Sequence, residues 1–304
     1  MAHSPPATGP RRLAVWHSSS DEQRALITSR ENRWLRTFRA ALRGKGPQSG
    51  EPIGVEGPKM VGDALRAGLE AEALLVSESG EPDLQDVLRA ARECRSRVVD
   101  RILRTTDKLF ESVTGTGTPQ GVAALFGQRR WGIEDVLRGP GALRENAPLV
   151  AVLAEVQDPG NVGTTVRSAE AFGATGVVAT RGSADPWSPK ALRASAGSAL
   201  RLPVLRAMAI PIVIAQLKVA GVKLYVAAST PAADGLENPG EANLSGPVAI
   251  FIGNEGGGVP PEVTHSIDNR ISIPISGHVE SLNAGIAASI LLYEAARQRR
   301  VDRR

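Results

Sequence analysis

The apolar residues of this chain fall into short runs whose spacing predicts alternating strands and helices. In the second half, runs rich in Val, Ile, Leu and Ala predict strands at Leu149–Val156, Gly176–Thr180, Leu202–Leu205, Lys223–Ala228, Pro247–Ile252 and Arg270–Ile273. Apolar positions at helical spacing predict helices over Val162–Phe172, Ala209–Val219 and Ala284–Arg297. This alternation predicts an α/β fold, a mainly parallel sheet covered by helices on both faces. Such sheets bind ligands in loops at the carboxyl ends of their strands. The first half predicts a smaller α/β unit: a strand at Ile53–Val55, a helix at Lys59–Ala67, a strand at Ala73–Ser77 and a helix at Leu84–Glu93. After Val98–Val99 comes a helix near Lys108, then a closing strand at Val122–Leu125.

Breaks in the pattern divide the chain. Residues 1–22, rich in Pro, Ser, Gly and Thr, form an expected disordered leader. Residues 23–126 form the first unit, and 127–147, with Gly127, Gly132, Gly139, Pro140 and Gly141, an expected linker. Residues 148–304 form the second unit, and a length of 304 residues agrees with two domains. At 42% hydrophobic and 22% charged, the chain has enough apolar surface for a core. The single cysteine, Cys94, excludes an intramolecular disulfide and a cysteine-only zinc site. His3, His17, His265 and His278 are scattered, none paired at metal-ligand spacing, so no metal is expected. No apolar run approaches the roughly 18 residues of a membrane span, and the start of the chain lacks the apolar core of a secretory signal. A soluble protein of a reducing compartment is expected.

The net charge of +4 is small, but its placement is informative. Residues 1–130 hold 20 basic and 16 acidic side chains, and 131–304 hold 16 of each, so the whole excess lies in the first half. Arg30, Arg33, Arg36, Arg39 and Arg43 recur at helical spacing, with Leu35, Phe38 and Leu42 on another face. Two readings of this stripe stand: a solvated amphipathic helix, or a surface that contacts a phosphate backbone.

Three clusters lie at predicted strand ends. The first, Gln157-Asp158-Pro159-Gly160-Asn161-Val162-Gly163, leads into a helix carrying Arg167. Asn161 is a good helix N-cap, which by itself accounts for its presence. The second is Gly253-Asn254-Glu255-Gly256-Gly257-Gly258, either a flexible turn or a backbone that a ligand approaches closely. The third runs from Ile271-Ser272-Ile273-Pro274-Ile275 to Glu280-Ser281-Leu282-Asn283-Ala284-Gly285, at minimum a strand followed by a helix capped by Ser281 or Asn283. A dinucleotide fingerprint is absent: Gly115-Thr116-Gly117-Thr118-Pro119-Gln120-Gly121 leads into a strand, and Gly160-Asn161-Val162-Gly163 lacks the leading Gly-x-Gly. From the residues alone, the chain is a basic N-terminal module joined to an α/β ligand-binding domain.

These clusters, in this order, closely resemble the SpoU (TrmH-like) branch of the SPOUT methyltransferases. Ile27-Thr28-Ser29-Arg30-Glu31-Asn32, Val55-Glu56-Gly57-Pro58-Lys59 and Thr114-Gly115-Thr116-Gly117-Thr118-Pro119-Gln120-Gly121-Val122 resemble that family's substrate-binding domain, so the likeness covers about residues 26–300. It implies S-adenosylmethionine-dependent methylation of a ribose 2′-hydroxyl in structured RNA, by a cytoplasmic homodimer. It also implies a SPOUT-type fold closed by a C-terminal trefoil knot, behind a small α/β RNA-binding domain. The cofactor-binding positions it implies are Gly253, Asn254, Ile273, Pro274 and Leu282. Arg167 takes the central catalytic role, with Asn161, Glu255, Ser281 and Asn283 completing the site, and the arginine stripe is assigned to RNA.

That chemistry suits these side chains. A sulfonium methyl is already activated, so the enzyme's task is to align a poor hydroxyl nucleophile and assist loss of its proton. Arginine stays protonated under almost all conditions, so orienting the hydroxyl and a phosphate, or stabilising the developing alkoxide, suits Arg167 better than acting as a base. Ribosomal RNA is favoured over transfer RNA, because a separate basic N-terminal domain is typical of the ribosomal members; a resistance enzyme is one possibility within them. The rivals are a transfer-RNA enzyme, a non-catalytic RNA-binding protein of the same fold and a nucleotide-dependent oxidoreductase. Gly54 departs from the family by interrupting the apolar strand before Glu56, which predicts an irregular strand.

Overall fold

The computed structural model describes residues 26–301 apart from 45, 95–100, 142, 144–145, 229–235, 255 and 277–278. The expected leader and the Val98–Val99 pair lie outside these residues, as does Glu255.

The first sheet contains β1 (Leu26–Ile27), β2 (Ile53–Glu56), β3 (Ala71–Ser77), β4 (Ile102–Thr105) and β5 (Val122–Phe126), in the order β1-β4-β3-β5-β2. Strands β1, β4 and β3 run parallel, and β5 is antiparallel to both β3 and β2. Helices α1 (Arg33–Arg43), α2 (Pro58–Arg66), α3 (Glu81–Glu93) and α4 (Asp107–Thr114) cover it. Side-chain alternation splits the strands between two cores: Leu74, Val76 and Ala124 face α2 and α3, while Ala73, Leu75 and Leu125 face α1 and α4. Burial of Leu35, Phe38 and Leu42 fixes the inner face of α1 and leaves Arg33, Arg36 and Arg43 exposed.

Helix α5 (Ile133–Arg138) precedes the second sheet. That sheet comprises β6 (Leu149–Leu153), β7 (Gly176–Thr180), β8 (Val204–Met208), β9 (Lys223–Ala227), β10 (Leu236–Glu237), β11 (Val248–Ile252) and β12 (Asn269–Ile271). Its order is β10-β12-β9-β11-β6-β7-β8 and every pairing is parallel. Helices α6 (Pro159–Ala171), α7 (Pro189–Ala194), α8 (Ile210–Val219), α9 (Pro261–Ser266) and α10 (Ala284–Val301) complete it. Leu149, Ala151 and Leu153 pack toward α6 and α10, and Val150 and Val152 toward α5, α8 and α9. Strands buried on both faces read as continuous apolar runs, which is why the sequence marked them clearly.

Several expectations need correction. The expected linker contains α5, whose Val136 is fully buried against the second sheet, so this stretch is partly packed structure. Gly54 does not disturb β2, which pairs with β5 along its whole length. A Cβ at Gly54 would lie 2.7 Å from the carbonyl carbon of Ala41, so glycine here lets α1 lie directly on the strand. The cap of α6 is Asp158, which accepts from the Gly160 amide at 3.0 Å, and Asn161 sits inside the first turn. The actual cap comes three residues earlier because Pro159 takes a first-turn position, where it needs no amide partner.

Candidate functional site

Parallel pairing brings the carboxyl ends of β9, β11 and β12 to one edge of the second sheet. A cavity of about 330 Å³ opens there, within the range of small-molecule sites. Gly253, Asn254, Ile273, Ser281 and Leu282 line it together with Ile271, Ile275 and Leu291. Thus the second and third clusters meet in one pocket. Pro274 is not among the lining residues, whereas its neighbours on both sides are. Ala228, Thr264 and Arg270 also line the cavity and were not singled out from the sequence. The end of β9 carries no glycine cluster, and its place in the strand order brings it to the site.

The glycine loop is a closed hairpin. Asn254 and Gly258 exchange backbone hydrogen bonds of 3.1 and 3.0 Å, and the Asn254 side chain accepts from the Gly256 amide at 3.0 Å. A Cβ on Gly253 would overlap the Gly258 carbonyl, so the loop folds back only because that position is glycine. The Asn254 side chain is therefore engaged in shaping the loop, and the backbone is what the loop presents to the cavity.

The first cluster joins the site through α6. Asn161 is buried, and its Oδ1 accepts from Asn283 Nδ2 at 2.9 Å. Asn283 also caps α10, its Oδ1 accepting from the amides of Gly285 at 3.0 Å and Ile286 at 3.2 Å. Ser168 and Ser289 pair at 2.7 Å further along the same two helices. Arg167 lies on α6 but is exposed and does not line the cavity of its own chain. Asp158, at the head of α6, is held below the usual carboxylate range by its hydrogen bond to Lys190 and by the Gly160 amide.

The arginine stripe lies apart from the cavity, on the first sheet. Arg33, Arg36 and Arg43 are exposed, Arg39 is half-buried and Arg30 precedes α1 on the surface. Arg33 and Arg101 both lie over the Trp34 ring, 5.6 and 5.0 Å from its centroid, and Arg43 donates to the Ser112 carbonyl at 3.2 Å.

The cavity suits S-adenosylmethionine. Apolar side chains from β12 and α10 offer surfaces for a flat ring, and the exposed backbone of the glycine loop supplies hydrogen-bonding groups. Among the described residues no helix is long and apolar enough to cross a membrane.

Comparisons with known proteins agree with this geometry. Residues 148–293 match the SpoU rRNA Methylase family, and residues 48–124 match the MRM3-like substrate binding domain. The chain is 33% identical over 240 residues to the 23S rRNA (guanosine(2553)-2′-O)-methyltransferase RlmP of Bacillus subtilis, covering 79% of this chain and 86% of that one. It is 32% identical over 233 residues to the 23S rRNA (guanosine-2′-O-)-methyltransferase RlmB of Xanthomonas campestris, covering 75% and 88%. An AdoMet-bound rRNA methyltransferase from Sinorhizobium meliloti superposes with a TM-score of 0.74 at 28% identity, covering 90% of this chain and 97% of that structure. With relatives of this identity aligned along most of both chains, this protein belongs to the SpoU rRNA methylase family.

Proposed function

We infer that this protein transfers a methyl group from S-adenosylmethionine to a ribose 2′-hydroxyl of RNA, and that its substrate is ribosomal RNA. The observation that carries the reading is the convergence of the three clusters: the glycine loop and the Ser281–Leu282 segment wall one cavity, and Asn283 ties that wall to Asn161. The ribosomal substrate rests on the relatives RlmP and RlmB, both named as 23S rRNA enzymes. The reaction belongs in the cytoplasm, where that RNA is found.

Gly253, Asn254, Ile273 and Leu282 hold the cofactor, chiefly through backbone, and Pro274 shapes the pocket from between the lining residues Ile273 and Ile275. S-adenosylmethionine supplies a methyl already activated on a sulfonium. Asn161, Ser281 and Asn283 position the ribose; a catalytic role for Glu255 rests on the resemblance alone, since it lies outside the described residues. Arg167 orients the hydroxyl with a neighbouring phosphate and stabilises the oxygen as its proton leaves.

The site is shared across a homodimer. Ile286, Ile290 and Tyr293 form an exposed apolar stripe along α10, at 51%, 37% and 52% exposure, and Arg167 projects from α6, the helix packed beside it. A two-fold contact through this stripe covers it and carries Arg167 toward the partner's cavity. A C-terminal trefoil knot is supported by the route of the chain. β12 lies beyond β9 in the strand order, yet the helix that follows it, α10, packs against α6, β6 and β11. Arg30, Arg33, Arg36, Arg39 and Arg43 contact the RNA backbone.

Incubation of the purified protein with methyl-labelled S-adenosylmethionine and ribosomal RNA tests this reading. The label is expected in alkali-resistant 2′-O-methyl dinucleotides, at a position missing from RNA of cells that lack the gene. Label confined to a base overturns the ribose assignment, and transfer to transfer RNA alone overturns the substrate.

A further inference from the structure

A second cavity, of about 360 Å³, lies between the two sheets. Glu56 at the end of β2, Lys59 of α2, and Thr116 and Gln120 of the loop before β5 line it on one side, and Arg193 of α7 lines it on the other. It shares no lining residue with the cofactor cavity. Packed helices link the two: α7 packs directly on α6, and Asn161 of α6 bonds Asn283, the neighbour of Leu282 in the wall of the cofactor cavity.

Glu56 is the unusual group in this cleft. It is half-buried at the end of β2, and among the described residues no lysine or arginine forms an ion pair with it. Only neutral donors hold it: Thr116 Oγ1 donates to Oε1 at 3.0 Å, with a longer arm of 3.3 Å to Oε2, and the Gln120 amide donates to Oε1 at 3.2 Å. An ionised carboxylate has about four acceptor positions, so two donors leave room for two more. The Gln120 carboxamide oxygen occupies the space that a side chain at Gly57 would take, so this amide sits against the residue that follows Glu56, and both Gln120 and Glu56 line the cleft.

We propose that this cleft reads an unstacked guanine base of the RNA, flanking the methylated nucleotide, through the Glu56 carboxylate and the Gln120 carboxamide. Proteins that read RNA sequence take splayed bases and bond their Watson–Crick edges. Guanine alone presents two adjacent N–H donors on that edge, at N1 and N2, next to the O6 acceptor. The two donors fill the remaining capacity of Glu56, and the Gln120 amide nitrogen donates to O6. Lys59 and Arg193, both exposed at the rim, take the adjoining phosphates. This proposal rests on the reading of the protein as an RNA methyltransferase and adds a base preference to it.

The test uses the full-length protein and fluorescein-labelled RNA nonamers of uridine with guanine, inosine or adenine at the centre. Anisotropy titrations are expected to show the guanine nonamer binding about tenfold more tightly than the other two, the scale of one good bidentate base contact. Inosine lacks only the N2 amine, so it isolates the second bond to Glu56. Glu56→Gln should reduce the preference to less than about twofold. Arg193→Ala should weaken all three nonamers alike and lower the salt slope by about 0.7. Equal binding of guanine and inosine by the unaltered protein overturns the proposal, as does no binding at about 100 µM, the weak end of non-specific affinity. That comparison needs no variant, so a Glu56→Gln protein that fails to fold leaves the test intact. Calorimetry with S-adenosylmethionine on the same preparation separates this failure from failure of the methyltransferase reading.

Discussion

Asn283 donates a 2.9 Å hydrogen bond to Asn161 across 122 positions of sequence, and in the same geometry caps α10 through its other side-chain atom. One carboxamide thus serves two functions: its oxygen satisfies the first amides of the C-terminal helix, and its nitrogen fixes a buried asparagine of α6. The start of α10 and the first turn of α6 are thereby set together.

These two roles separate on mutation. Asn283→Ala removes the cap and should cost about 1 kcal/mol of stability, together with most of the activity. Asn283→Ser restores a capping oxygen but cannot donate to Asn161 in the same way. Thermal melts of the serine variant should return close to the parent while methyl transfer stays low; recovery of both would remove Asn161 positioning from the mechanism.

The glycine loop offers a paired comparison. Gly253→Ala forces a methyl into the Gly258 carbonyl and should abolish S-adenosylmethionine binding, with about 1–3 kcal/mol lost to overpacking. Gly256→Ala meets nothing closer than Asn254 Oδ1 at 3.9 Å and should bind nearly as the parent does. Calorimetry on both variants reads the difference, and normal binding by Gly253→Ala would move the cofactor elsewhere.

For α1, alanine at both Arg33 and Arg36 should lower the salt slope of RNA binding by about 1.4–1.8, the loss of two phosphate contacts. Cofactor affinity should not change. An unaltered slope would return the stripe to a solvated helix face.

Shared sites permit complementation. Arg167→Ala and Gly253→Ala, each inactive alone, should regain activity when refolded together, because one site of each mixed dimer then combines an intact cavity with an intact arginine. Activity that stays at background, or a monomer by light scattering, would place the whole site in one chain.

Acid stability should report on Glu170. Burial by itself would raise this carboxyl, but the Arg201 guanidinium, bonding both of its oxygens at 2.7 Å, and Ser198 hold it below the usual carboxylate range. A depressed folded value contributes stability above the unfolded pKa of about 4.3 and loses it as pH falls through the folded value. Glu170→Gln should therefore flatten the pH dependence of denaturation below about pH 4. Arg201 also faces Asp63 of α2, 3.9 Å away, a contact that the variant leaves in place.

The sequence by itself determined the long elements. β7 occupies the residues its pattern predicts, and β6, β9 and β11 end within a few residues of prediction, because strands buried on both faces are continuous apolar runs. Helix α1 was legible from Leu35, Phe38 and Leu42, whereas the cap of α10 was left between Ser281 and Asn283 and the structure selects Asn283. Short elements escaped: β1 and β10 span two residues each and exist only through partners distant in sequence. α7 and α9 are six residues long, too short for periodicity to register, although Pro189 with Ser188 before it, and Pro261, were available start signals. What only the tertiary structure decided is who meets whom. Asn161 resembles a helix cap in sequence and proves to be the acceptor for Asn283; Gly54 resembles a defect and proves to be where α1 touches β2. Local pattern specifies which face of an element is apolar, but the choice of partner for that face depends on strand order and crossover, and these are fixed by contacts between residues that no local window contains.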